Sequence, residues 1–133
     1  MPDVFTRAVV AVVDDDPGIL TSLQYLLESA DHSVLAFGSA AALLESGCVA
    51  TIDCLISDID MPAMDGFELV RGVRDIQPTL PVILITGHPE MADRLQAVDA
   101  GHHRFFRKPF DGQALLDAVR DAVLRPPLPK PVS

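Results

Sequence analysis

Four polar blocks each stand at the end of a short apolar run: Asp14-Asp15-Asp16-Pro17, Ser57-Asp58-Ile59-Asp60-Met61-Pro62, Ile85-Thr86-Gly87 and Arg107-Lys108-Pro109-Phe110. Runs that are apolar throughout, rather than alternating, mark strands covered on both faces, the usual condition of a parallel sheet. If these strands lie parallel in one sheet, all four blocks emerge along the same edge. Carboxylates, a hydroxyl and an ammonium that are distant in sequence then meet there. Such a set suits a divalent cation and a phosphoryl group.

Helical spacing fills the stretches between the runs. The first strand is expected over Ala8 to Val13, and Pro17 suits a helix start, where its missing N–H costs nothing. Ile19, Leu20, Leu23, Leu26, Leu27 and Ala30 then give one apolar helical face. Ser33 to Phe37 reads as a second strand, with Ser39 as N-cap of a short helix to about Glu45. The third strand is Cys54 to Ser57, ending at Asp58, and Met61 to Gly66 is a loop. Phe67, Leu69, Val70 and Val73 mark a third helix, and Pro81 to Ile85 a fourth strand. A fourth helix is expected from about Glu90 to Ala100, with Gly101 as C-cap. Arg104 to Arg107 makes a fifth strand, and Asp111 caps a last helix with Leu115, Ala118, Val119, Ala122 and Val123 inward. The result is a single α/β domain of (βα)5 type over residues 1–125, with helices on both sides of a parallel sheet. Ligands of such sheets bind outside the carboxyl ends of the strands, where the polar blocks lie. Residues 126–133, with four prolines, read as a tail or the start of an interdomain linker.

Composition narrows the function classes. A formal net charge of -9 opposes nucleic-acid binding by this segment. No apolar run is long enough to span a bilayer, and the N-terminus has no signal-peptide pattern, so a soluble cytoplasmic protein is expected. Of ten basic residues only Lys108 and Lys130 are lysines, and Lys108 stands where a phosphate ligand is useful. Cys48 and Cys54 lack metal-ligand or CxxC spacing, and Cys54 is expected to be a small buried hydrophobe. His32, His88, His102 and His103 form no ligand set and read as surface or partly packed imidazoles.

The blocks have a chemistry of their own. Asp14, Asp15 and Asp58 concentrate negative charge that a hard cation such as Mg2+ would relieve. Asp58 is the best nucleophile candidate, since a carboxylate can accept a phosphoryl group as an acyl phosphate. Attack by an anion on an anionic phosphoryl centre needs a metal and a cation to offset charge, and Lys108 can supply the cation. Thr86 can donate its hydroxyl to a phosphoryl oxygen. A backbone carbonyl in the loop after Asp58 can complete a metal shell without any use of the Asp60 side chain. The Lys108–Pro109 bond is a place where a cis peptide is tolerated.

Taken together, Val13-Asp14-Asp15-Asp16-Pro17, the segment Asp58-Ile59-Asp60-Met61-Pro62-Ala63-Met64-Asp65-Gly66 and Lys108-Pro109-Phe110 resemble the receiver domains of two-component response regulators. The resemblance covers roughly residues 7 to 124. It implies a flavodoxin-like, doubly wound sheet in strand order 2-1-3-4-5. It also implies Mg2+ binding by Asp14, Asp15, Asp58 and the Asp60 backbone carbonyl, and phosphorylation of Asp58 by a histidine kinase or phosphotransfer protein. Thr86 and Lys108 match the groups that hold the phosphoryl group, and Phe105 matches an aromatic switch residue that moves with Thr86. The face formed by the fourth helix, fifth strand and fifth helix would then change its effector, output domain or homodimer partner. Gly87 replaces a common alanine, and His102 stands where a small residue is common; neither removes a chemical group from the site.

Two rival classes share parts of this pattern. A haloacid-dehalogenase-like phosphohydrolase would place its nucleophile in the Asp14 to Asp16 run. It needs a further acidic pair late in the chain, where only Asp111, Asp117 and Asp121 follow Lys108. A flavodoxin-like cofactor binder needs a Ser/Thr/Gly-rich phosphate loop after the first strand, the electrostatic opposite of three aspartates.

Overall fold

A computed structural model describes residues 7–61, 64, 66–87 and 103–124, leaving aside the side chains of residues 67, 103 and 105. Five strands form one sheet in the order β2-β1-β3-β4-β5. They are β1 (Val9–Val13), β2 (Ser33–Phe37), β3 (Cys54–Asp58), β4 (Val82–Thr86) and β5 (His103–Arg107). Every neighbouring pair is parallel. The helices are α1 (Pro17–Ser29), α2 (Ala40–Ser46), α3 (Gly66–Ile76) and α4 (Gly112–Leu124). The helix expected over residues 90–100, with its cap at Gly101, lies outside the described residues, so the last helix is α4. The tail at 126–133 also lies outside them.

The sheet is the middle of three layers. Side chains alternate across each strand, and both sides are apolar, as the continuous runs require. Ala11, Val13, Leu55 and Leu84 point to one side, against Leu43, Leu69 and Val73 of α2 and α3. On the other side Val10, Val12, Ile56, Ile83 and Ile85 meet Leu23 and Leu27 of α1 and Leu115 and Val119 of α4. All of these are essentially fully buried.

Local chemistry places the turns. The Asp16 carboxylate accepts from the N–H groups of Gly18 at 2.8 Å and Ile19 at 3.4 Å, with Pro17 at the first helical position. Ser39 caps α2 by accepting from Ala42 N–H at 3.1 Å. Gly47 ends α2 at φ 76°, where a side chain would be strained. The Asp111 carbonyl accepts the Leu115 N–H, so α4 starts directly after Asp111. Strand limits differ from the sequence reading by about one residue. Asp58 and Thr86 are inside β3 and β4 because the parallel ladder still pairs Asp58 with Ile85 and Thr86 with Arg107. A short 3-10 turn at Val49–Thr51 has no apolar periodicity to announce it. His32 is buried, and its Nδ1 accepts from Ala8 N–H at 3.1 Å, so it serves the fold. Cys48 and Cys54 are free thiols; burial and the neighbouring Asp53 push Cys54 up to about 12, the behaviour of an inert core residue.

Gly66 shows how tightly the nucleophile loop is built. A Cβ there would sit 2.9 Å from the Ile59 Cα and 3.0 Å from the Asp58 carbonyl oxygen, both backbone atoms that cannot swing aside. Gly66→Ala is therefore expected to destabilise the fold by about 1–3 kcal/mol, the usual cost of overpacking. Urea unfolding followed by circular dichroism measures it, and an unchanged midpoint would mean that the loop is looser than its packing indicates.

Candidate functional site

β1, β3 and β4 are adjacent strands, and their carboxyl ends deliver Asp14, Asp58 and Thr86 to one place. The Asp14 N–H is held by the Phe37 carbonyl of β2 at 3.2 Å, so the segment leaving β1 keeps the line of the strand. Register puts Ile85 opposite Asp58, and Thr86 one step further on. Lys108 follows β5, and its backbone N–H donates to the Thr86 carbonyl at 2.8 Å. The Lys108–Pro109 peptide is cis.

Charge is concentrated at this edge. Asp14 is 1% and Asp58 4% exposed, so both carboxylates have lost nearly all of their water. The Lys108 Nζ lies 3.4 Å from Asp14 Oδ2 and 3.4 Å from Asp58 Oδ2, bridging the two. Oxygens of Asp14, Asp15 and Asp58 all lie within 4.8 Å of one another, with Asp15 exposed at the mouth. Among the described residues, one ammonium thus bridges two of the three clustered carboxylates. Backbone donors supply part of the remainder: Asp16 N–H to Asp14 Oδ1 at 2.9 Å and Asp60 N–H to Asp58 Oδ1 at 3.2 Å.

Burial first, and the Asp14 carboxylate second, raise Asp58 above its ordinary value; Lys108 and the Asp60 N–H oppose the shift without cancelling it. For Lys108 burial alone would lower the ammonium, yet attraction to Asp58 and Asp14 outweighs it and the net shift is upward. The site is short of positive charge. Three hard carboxylate oxygens with one open, exposed side match what Mg2+ takes, namely few protein ligands with the remaining positions left for water and phosphate oxygens.

Asp14, Asp15, Asp58 and Lys108 are therefore brought together as the sequence pattern implied. Thr86, fully buried, joins them through a contact that sequence reasoning missed: its hydroxyl donates to Asp60 Oδ2 at 3.3 Å. Nothing in the spacing announces that bond, because it depends on strand register. Asp16, adjacent to two site residues, is a helix cap instead. Among the described residues, an added Cβ at Gly87 would meet nothing within 4 Å. The Phe105 backbone pairs with Leu84 in the β5 ladder, while its side chain lies outside the described residues, as do His88 and His102.

Comparison with known proteins agrees with this geometry. The response regulator receiver domain family matches residues 10–120. This chain belongs to that family. The receiver is 40% identical over 114 residues to the C4-dicarboxylate transport transcriptional regulatory protein DctD of Pseudomonas aeruginosa, covering 86% of this chain and 25% of that protein. It is 32% identical to the transcriptional regulatory protein FixJ of Bradyrhizobium diazoefficiens, covering 89% of this chain and 58% of FixJ. The receiver thus spans between a quarter and about three-fifths of these two relatives. Among solved structures, the apo receiver domain of Nitrogen Regulatory Protein C superposes with a TM-score of 0.77 at 34% identity, covering 89% of this chain and 95% of that one. These relatives are regulators, which favours the two-component reading over the phosphohydrolase alternative. Among the described residues no helix is long and apolar enough to cross a membrane.

The raised Asp58 carboxyl has a consequence for stability. Its folded value exceeds its unfolded one, so its contribution is full below the unfolded value of about 3.8 and is lost as pH rises through the folded value. At neutral pH an ionised Asp58 costs stability. Asp58→Asn is expected to raise the melting temperature by a few degrees without Mg2+, with the gap closing as pH falls below the carboxylate range or as Mg2+ is added. Calorimetry across pH checks it; a variant less stable than wild type at neutral pH would contradict the electrostatic reading.

Proposed function

We propose that Asp58 is the phosphoacceptor of this receiver, taking a phosphoryl group from a histidine kinase or a phosphotransfer protein. The observation that carries this is the buried Asp58 carboxylate sharing one ammonium with Asp14, 3.4 Å from each, next to the exposed carboxylate of Asp15. An Asp58 oxygen attacks phosphorus, the bond from phosphorus to the donor imidazole nitrogen breaks, and the imidazole leaves with the electron pair. The product is an acyl phosphate on Asp58. Asp14, Asp15, Asp58 and the Asp60 backbone carbonyl would hold Mg2+. When bound, it supplies the positive charge that offsets the repulsion between carboxylate and phosphoryl oxygens.

This chain's own groups do the rest. Lys108, already held between Asp14 and Asp58, moves with little rearrangement onto a phosphoryl oxygen. The Asp60 N–H keeps the nucleophile aimed. Thr86 turns its hydroxyl to another phosphoryl oxygen, and Phe105 follows it inward from β5. The face that includes β5 and α4 then changes its affinity for an effector, an output domain or a second receiver, a small charge event biasing a two-state element. In this reading residues 1–125 form the receiver and 126–133 a tail or linker. The protein acts in the cytoplasm as a signalling phosphoacceptor rather than a turnover enzyme.

Intact-protein mass spectrometry with acetyl phosphate and Mg2+ tests the reading. Wild type is expected to gain one phosphoryl group, and Asp58→Asn none. At limiting Mg2+, Asp15→Ala is expected to slow uptake by at least about tenfold through lost metal affinity. An adduct retained in Asp58→Asn would move the nucleophile elsewhere, and wild-type uptake insensitive to chelation would remove the metal from the scheme.

A further inference from the structure

Asp60 makes two contacts with the reacting groups from opposite ends of the residue. Its backbone N–H donates to Asp58 Oδ1 at 3.2 Å, and its side-chain Oδ2 accepts the Thr86 hydroxyl at 3.3 Å. Asp58 and Thr86 lie on neighbouring strands, one register step apart, and Asp60 spans them from the loop after β3. The Thr86 backbone cannot drift to release this bond. It is held in the β4–β5 ladder opposite Arg107, and its carbonyl accepts from Lys108 N–H at 2.8 Å. Only the side chain can move, by rotation about Cα–Cβ.

A threonine hydroxyl has one proton to donate. It cannot serve the Asp60 carboxylate and a phosphoryl oxygen on Asp58 together. The geometry points to the Asp60 side chain as a latch: a positioning residue that holds Thr86 in its resting rotamer and must be released before Thr86 can engage the phosphoryl group. This rests on the phosphoacceptor reading of Asp58 and adds to it a resting-state restraint built into the same loop. The loop that aims the nucleophile through its backbone thereby opposes the switch through its side chain. Phosphoryl binding draws part of its free energy to break the Asp60–Thr86 bond, so apparent affinity falls by the fraction of molecules in which Thr86 is free to turn.

The test is a titration of 15N-labelled protein with beryllofluoride, a phosphoryl mimic, at saturating Mg2+, followed by NMR. Saturating metal keeps the loss of a nearby charge from being read through Mg2+ affinity, and the backbone carbonyl of residue 60 survives every substitution. Asp60→Ala is expected to bind beryllofluoride about three- to tenfold more tightly, the range set by one net hydrogen bond. Asp60→Asn should fall between it and wild type, because an amide oxygen still accepts.

The deciding arm is the Thr86→Val background, where there is no hydroxyl to latch. There Asp60→Ala is expected to change affinity by less than about twofold, since no net hydrogen bond is at stake. An equal gain in that background would mean that Asp60 acts by plain charge repulsion, and no gain in the Thr86 background would mean that the bond restrains nothing; either overturns the latch. Failure of the underlying reading looks different. In that case beryllofluoride would leave wild type unaffected or bind Asp58→Asn equally well, and the latch would fall with it.

Discussion

A single ammonium between two buried carboxylates governs this edge of the molecule. Removing Asp14 and Asp58 from water is costly, and the Lys108 Nζ at 3.4 Å from each returns part of that cost. The return is incomplete, as the upward displacement of Asp58 shows. A site left with surplus negative charge is unstable by itself and receptive to a cation. It is also receptive to a rearrangement in which Lys108 exchanges a carboxylate partner for a phosphoryl oxygen. The same electrostatic deficit that weakens the fold therefore prepares the chemistry.

Everything around the site serves to hold those charges in place. Three adjacent parallel strands with continuous apolar runs are fixed in register from both faces by α1 and α4 on one side and α2 and α3 on the other. Because the strands end together, residues 14, 58, 86 and 108 converge with no long-range specificity beyond the ladder. The loop after β3 is the exception to this regularity. Gly66 packs directly on the backbone of Asp58 and Ile59, and Asp60 reaches both the nucleophile and Thr86. Close packing and restraint are placed where the reaction is proposed to occur, while the sheet below stays regular.

Much of this was legible in the residues. Apolar runs located β1 to β5, Pro17 and Ser39 marked helix starts, and the polar blocks named Asp14, Asp15, Asp58, Thr86 and Lys108, because strand ends and charge clusters are local properties. What escaped was non-local or mediated by the backbone. Asp16 reads as a third member of an acidic run, yet its carboxylate turns to the Gly18 N–H and starts α1. His32 reads only as a surface or partly packed imidazole, and the pairing of β1 with β2 decides between these by bringing it to Ala8. The residues assign Asp60 a metal-binding carbonyl that needs no side chain, and only the register of β3 against β4 shows that its carboxylate reaches Thr86.

Asp58, among several neighbouring carboxylates, is the residue proposed to carry the phosphoryl group. Borohydride reduction of the protein after acetyl phosphate treatment converts an acyl phosphate to a hydroxymethyl group, leaving homoserine at the modified aspartate. Peptide mapping then reads its position. Homoserine at residue 58, dependent on Mg2+, is the expected result. Homoserine at residue 14 or 15 instead, or at none of the three, would contradict the assignment.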